Sequence, residues 1–208
     1  MIKIEELTLH GSTLIPAIRG MRNPMNSWKN SDSYWQESIK GVRSAAYTVG
    51  SDDYTLMESL VDAGTDHSKF MRMIMVSMDI TAPLYWWKEF DTYKIGVVRN
   101  SCSTMHKIHS KEFTTDDFSC DDPKNIQCVV EACEELRKTY IKTNDKKYWR
   151  ALIQLLPESY NQRATVMLNY QVLRNMYHAR KNHKLSEWHD FCHAIESLPY
   201  SELITMED

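Results

Sequence analysis

The stretch NQRATVMLNYQVLRNMYHAR, residues 161–180, carries the most suggestive chemistry in the chain. Val166, Leu173, Met176 and Tyr177 recur at helical spacing, which predicts one helix over 161–180. Asn169 and Arg180 fall inside that apolar stripe. In a helix they would stand roughly 20° apart around the axis and about 16 Å apart along it. Arg163 and Arg174 repeat this spacing on a neighbouring line. An unpaired guanidinium in apolar surroundings costs several kcal/mol, so Arg180 needs a partner. A carboxylate or backbone carbonyl in the fold, or across an oligomer interface, would serve. A bound phosphate, carboxylate or pyrimidine would serve equally well.

Other candidate groups point to less. His106 and His109, and His189 and His193, have spacings that could set two imidazoles on one helical face. A zinc site needs further ligands, and a hydrolytic one usually a Glu between the histidines; here the intervening residues are Asp190, Phe191 and Cys192. No metal ligand is assigned. Cys128 and Cys133 sit on or near an apolar stripe, where a buried structural thiol is the default. The chain has no G-x-S-x-G elbow, no Walker-type loop and no G-x-G-x-x-G.

The elements that must position these groups can be read coarsely. IKIEELTL is a strand candidate, and STLIPAIRGMRN a short helix ending near Asn23–Pro24. NPMNSWKNSDSYWQ is polar, aromatic and irregular, a loop. SDDYTLMESLVDAG is a helix with an Asp or Ser cap and Gly64 at its stop. FMRMIMVSMDITAP alternates, with Phe70, Ile74, Val76, Met78 and Ile80 on one side, and predicts a half-buried strand closed by Pro83. LYWWKEFDTYKIG follows as a helix and VVRNSCSTMHKIHS as a loop or bent segment. DDPKNIQCVVEACEELRKTYIKT is the clearest helix, with Asp122 as cap and Pro123 in its first turn. KKYWRALIQLLP is a helix ended by Pro157, and LSEWHDFCHAIESLP one capped by Ser186. The total is about six helices and few strands.

Over 208 residues the net charge is −3, which gives nucleic-acid binding no compositional support. No run of 18 apolar residues suggests a membrane span, and MIKIEELTLH lacks the basic start of a signal peptide. Five cysteines form no regular framework. A cytoplasmic protein with reduced thiols is the simplest reading, in a single domain over 1–208.

Three blocks resemble the flavin-dependent thymidylate synthases, the ThyX family. IRGMRNPMNSW is similar to the family's early R-x-x-R followed by Ser-aromatic. LMESLVDAGTDHSKFMRMIMVSMDITAPLYWWKEF is similar to its helix, turn, strand ending in Ala-Pro, and aromatic helix. LLPESYNQRATVMLNYQVLRNMYHAR follows its Leu-Pro, Arg, Asn, Leu and terminal Arg without a gap. The resemblance implies a helix-rich α/β (α+β mixed) subunit with a small antiparallel sheet, assembled as a homotetramer with shared active sites. Trp86, Trp87 and Trp188 on its helices would suit such an assembly, because an exposed cluster of that kind on a monomer invites aggregation.

It also implies an activity. Methylenetetrahydrofolate gives its one-carbon unit to carbon 5 of deoxyuridylate, and FAD reduced by NADPH supplies the hydride. By position, Arg180 holds the pyrimidine beside the flavin and is the catalytic candidate. Arg163 contacts the nucleotide, and Asn169 and Asn175 the flavin. Gln171 stands where the family usually has Arg, Ser27 at an early flavin-contacting Ser, and Ser68 at the turn residue.

One signature departs from the family. Its R-H-R-x7-S, with a following Arg, matches EFDTYKIGVVRNSCSTMH here. The triplet becomes Asp91-Thr92-Tyr93 or Thr92-Tyr93-Lys94, and the serine Ser101 or Ser103. No Arg-His-Arg survives; Lys94 and Arg99 supply part of the lost charge. The expectation is therefore a ThyX-like enzyme acting on a uridine nucleotide and folate. The alternative is a ThyX-like nucleotide-binding protein that has lost flavin chemistry or acts on a different pyrimidine nucleotide.

Overall fold

The computed structural model describes residues 2–35 and 47–207. Among them are eight α-helices and six strands, in a mixed, helix-rich α/β arrangement of the expected class. The chain falls into two compact units. One gathers Met1–Lys3, Asp79–Thr92 and Arg99–Thr165; the other gathers Ile4–Met78, Tyr93–Val98 and Val166–Asp208.

The second unit opens with β1 (Lys3–Leu9) and α1 (Leu14–Arg22). Leu14, Ala17, Ile18 and Met21 form a buried stripe of α1 at helical spacing. The expected loop after it contains two 3-10 turns, Asn23–Met25 and Trp28–Asn30, and the short strand β2 (Tyr34–Trp35); Gln36 lies outside the described residues. β2 pairs antiparallel with β3 (Tyr47–Thr48).

α2 (Ser51–Asp62) follows. Its cap is not an adjacent Ser or Asp: Gly50 holds the N-cap position, and the Asp32 carboxylate accepts from the Asp52 and Asp53 amides at 3.0 and 3.1 Å. A Cβ on Gly50 would lie 2.1 Å from Asp32 Cγ, so that close approach demands glycine. Those amide hydrogen bonds, the Asp52 one foremost, lower the Asp32 pKa.

The expected strand over 70–83 is shorter. Ser68–Met73 is a 3-10 segment that buries the neighbours Phe70 and Met71 together, which an alternating strand cannot do. β4 (Met75–Pro83) then buries Val76, Met78, Ile80 and Ala82.

The largest correction concerns 161–180. Asn161–Asn169 is a strand, β6, and α6 is only Tyr170–Arg180. Ala164, Val166 and Leu168 are buried while Arg163, Thr165 and Met167 are exposed, a period of two that the helical reading overlooked. Asn169 ends the strand with extended backbone (φ −115°, ψ 167°), and its Oδ1 accepts from Val172 N at 3.0 Å, capping α6. The eleven-residue helical geometry of Asn169 with Arg180, and of Arg163 with Arg174, therefore does not exist. α7 (Ser186–Glu196) and α8 (Glu202–Thr205) complete the unit; Ser186 lies inside α7, with Leu185 at its N-cap.

In the first unit, α3 (Leu84–Phe90) stops earlier than expected; Gly96, which belongs to the second, has a φ of +79° in the left-handed region. The expected loop over 97–110 begins instead as a strand, β5 (Val97–Ser101). α4 (Gln127–Thr143) and α5 (Lys146–Leu155) form a hairpin. Asp122 caps the turn before α4 through Lys124 N, and Asp145 caps α5 through Lys147 N. Ile108, Phe113, Phe118, Ile126, Val130, Cys133 and Leu152 form the core of this unit. Across the four-stranded sheet the order is β1-β4-β6-β5.

Trp86, Trp87 and Trp188 are 0%, 2% and 0% exposed. They fill interior space and form no surface cluster, so they give no argument for self-association. None of the five cysteines forms a disulfide, and burial pushes the Cys133 and Cys192 thiols up to about 11.

Candidate functional site

The polar residues of α6 follow directly from the strand-to-helix switch at Asn169. Gln171 and Arg174 are each 7% exposed, Asn175 is exposed, and Arg180 lies half-buried in the last turn. Gln171 Nε2 donates to Asn175 Oδ1 at 3.1 Å, one turn along. Ser68 Oγ donates to Gln171 Oε1 at 3.4 Å. The structure thus joins three expected contacts, Ser68, Gln171 and Asn175, into one uncharged chain of donors and acceptors.

Arg180 is surrounded by rings. Its Nε donates to Tyr93 Oη at 3.0 Å. The guanidinium carbon lies 4.8 Å from the Trp188 ring centroid and 5.6 Å from that of Tyr93. Its position at the α6 C-terminus is also favourable for a cation. Asn169 packs against the same loop: a Cβ on Gly96 would approach its Nδ2 to 2.7 Å. Lys94, between Tyr93 and Gly96, is exposed.

Arg174, without a role in the sequence reading, donates to the carbonyls of Leu203, Ile204 and Met206 at 3.4, 3.3 and 2.6 Å. These carbonyls cluster at the end of α8, and Arg174 closes it.

The early basic block also resolves into a structural and a surface part. Arg22 is buried and pairs with Asp53 at 2.5 Å, while Arg19 is exposed. Asp53, 0% exposed, also accepts from Ser31 Oγ and Ser33 Oγ, both at 2.6 Å. Ser27 enters through its carbonyl, which accepts from Arg22 Nη1 at 3.4 Å. Beside them a cavity of about 590 Å³ is lined by Arg19, Arg22, Asn23, Trp28, Ser31 and Tyr47, among others.

Four expected nucleotide contacts belong to the other unit. Arg99 Nη1 donates to Asp91 and Nη2 to Gln162, each at 2.6 Å, and its guanidinium carbon lies 3.9 Å from the Trp87 ring centroid. Arg163 donates to Asp79 at 2.7 Å, and Thr165 Oγ1 to the other oxygen of that carboxylate at 2.5 Å; together they lower the Asp79 pKa. Ser101 is exposed at the end of β5. Ser103 Oγ accepts from the Met105 and His106 amides, both at 3.1 Å, as the cap of a turn.

Among the described residues, no group of three His, Cys, Asp or Glu side chains could hold a metal ion. His106 pairs with Ser103, His189 with the His183 carbonyl and His193 with Glu196. No described helix is long and apolar enough to cross a membrane.

No family model and no curated protein matches the chain by sequence. Solved structures do. Two structures of flavin-dependent thymidylate synthase ThyX from Helicobacter pylori, with FAD and dUMP, align over 100% of this chain and 98% of theirs, at TM-score 0.72 and 19% identity. The chain has the ThyX fold. A UMP/dUMP methylase, PolB from Streptomyces cacaoi, bound with 5-Br dUMP, aligns over 95% of this chain and 89% of its own, at TM-score 0.61 and 13% identity. At these identities the ThyX likeness is one of fold, and residue roles rest on the side chains themselves. Tyr93 and Trp188 are the neighbours of Arg180 that sequence reasoning left without a role there. Tyr93 was visible as a residue of the substituted triplet, but nothing in the sequence ties Trp188 to Arg180.

Proposed function

We propose that this protein binds a uridine nucleotide and modifies it at carbon 5, as a flavin-dependent thymidylate synthase does. The supporting observation is the ThyX fold over the whole chain, with Arg180 at the end of a helix whose preceding turns carry Ser68-linked Gln171 and Asn175. In this reading Arg180 holds the pyrimidine. Its charge stabilises the negative charge that develops on the uracil oxygens as carbon 5 becomes nucleophilic. Arg163, Arg99, and Ser101 or Ser103 contact the nucleotide, in an active site shared within a homotetramer in the cytoplasm.

The uncharged donors and acceptors of Ser68, Gln171, Asn175 and Asn169 fit the edge of a flavin ring, which is itself a row of carbonyl and imide groups. Ser27 and Lys94 would complete the FAD contacts, Lys94 as the cation toward its phosphates. FAD, reduced by NADPH, supplies the hydride when bound, and methylenetetrahydrofolate is the one-carbon donor. Asn169 has a structural duty as well, since its Oδ1 caps α6.

One observation favours a second reading, a ThyX-like nucleotide binder without flavin chemistry. Residues 91–94 contain no arginine, and Arg99 and Arg163 each face a carboxylate, which competes with any phosphate. The purified protein decides between them. The visible absorption of bound flavin, and mass-spectrometric conversion of dUMP in the presence of FAD, NADPH and methylenetetrahydrofolate, are expected under the first reading. Binding of dUMP by a colourless protein that gives no conversion supports the second; no binding of dUMP or of any other pyrimidine nucleotide overturns both.

A further inference from the structure

We infer that Tyr93 is a positioning residue for Arg180, built into the loop where the Arg-His-Arg triplet is absent. The inference rests on the proposal that Arg180 holds the pyrimidine. Three observations within one unit carry it. The Nε–H of Arg180 is committed to Tyr93 Oη at 3.0 Å. The Trp188 ring, fully buried, stands 4.8 Å from the guanidinium carbon, and it packs edge-on against Tyr93 at 6.4 Å. The loop bearing Tyr93 is seated on Asn169 through Gly96, where there is no room for a Cβ.

Each contact removes a different freedom. A guanidinium is planar, so one hydrogen bond to Nε fixes its rotation within the plane, and a ring at van der Waals range restrains the tilt of that plane. A guanidinium fixed in this way meets a flat ligand without first losing rotamer entropy. A phenol also holds the group without bringing a negative charge of its own, unlike Asp91 on Arg99 or Asp79 on Arg163.

Tyr93→Phe keeps the ring and deletes the hydroxyl. Calorimetric titration with dUMP is expected to show about tenfold weaker binding, about 1.4 kcal/mol, from the freedom that Arg180 regains in the unliganded protein and must lose again on binding. In the Arg180→Lys background, which keeps a cation but replaces Nε–H with a methylene, the same substitution should lose much less, since the two act as one unit. Gly96→Ala, which pushes the loop off Asn169, should weaken binding similarly with Tyr93 intact. Unchanged affinity in Tyr93→Phe, or an equal loss in the wild-type and Arg180→Lys backgrounds, overturns the inference. If the wild-type protein binds no dUMP, the functional proposal fails by itself, and a ligand-free readout still decides this one. The Arg180 Nε–H resonance should shift and exchange faster with solvent in Tyr93→Phe at an unchanged melting temperature; an unmoved resonance overturns the inference.

Discussion

Replacing Arg22 with Met should destabilise the protein severely while leaving Arg19 and the surface of α1 unchanged. Asp53 is fully buried and, among the described residues, its carboxylate has one cation, Arg22, at 2.5 Å, with Ser31 and Ser33 supplying neutral donors to the other oxygen. Met fills the alkyl volume of the arginine but leaves a buried anion held, among the described residues, by hydroxyls and the 3.3 Å Ser33 amide. Breaking such a pair costs about 3–5 kcal/mol. For a chain of this length each kcal/mol moves the melting temperature by about 2–4 °C, so a drop of about 6–20 °C is expected. The control is the double variant Arg22→Met/Asp53→Asn, in which the buried charge is gone and the amide still accepts from the two serines. It should recover a large part of the loss. Circular dichroism melts of the two variants and the wild type test this. A single-variant drop under about 2 °C, or a double variant as unstable as the single one, would refute the argument that an uncompensated buried charge governs this site.

Arg180→Ala should abolish dUMP binding in calorimetry with little change in melting temperature; a large thermal loss with binding intact would mean a structural role. Arg174→Met should do the reverse, costing about 2–3 kcal/mol by taking the arginine donor from the Leu203 and Met206 carbonyls and leaving Ile204 with His178, and a melt within a degree of wild type would sink that account. Lys94→Ala should weaken dUMP or FAD binding at low salt and have a smaller effect at high salt, because an exposed ammonium acts through a screened field; an effect independent of salt counts against a phosphate role. The Arg137 guanidinium, bonded to Glu134 through two nitrogens, holds that carboxyl down at about 2. A depressed carboxylate stabilises the fold above its unfolded value, near 4.5, and that contribution is lost as pH falls from there toward 2. Glu134→Gln should therefore cost on the order of 2 kcal/mol at pH 7 and little at pH 2, as followed by urea titration.

Helix positions were legible where a local signal and an apolar stripe coincide, as in α4 after Asp122 and Pro123, and in α5 before Pro157. Residues 161–180 misled because β6 ends and α6 begins without a glycine or proline between them. Asn169 is the only marker of the junction, and an asparagine reads equally as a polar intrusion in a helix or as a cap. The buried tryptophans could not be told from exposed ones by type, since burial depends on what packs over them. In the candidate site, the residues of α6 were found from sequence, but their partners were not. The links from Ser68 to Gln171 and from Tyr93 to Arg180 span 103 and 87 residues, and no local pattern reports on contacts that distant.

The cap of α2 has a kinetic meaning. Its first-turn amides are received by a carboxylate 20 residues upstream, and the residue immediately before the helix contributes no side chain at all. A peptide comprising residues 51–64 would therefore begin with bare amides and two acidic residues, and should show little helicity in isolation. In the intact chain α2 gains its first turn only once Asp32 has been brought to it, at the entropic cost of closing the intervening ring. Substitutions within α2 should then slow folding less than they speed unfolding, whereas Asp32→Ala removes a contact made only when that ring has closed.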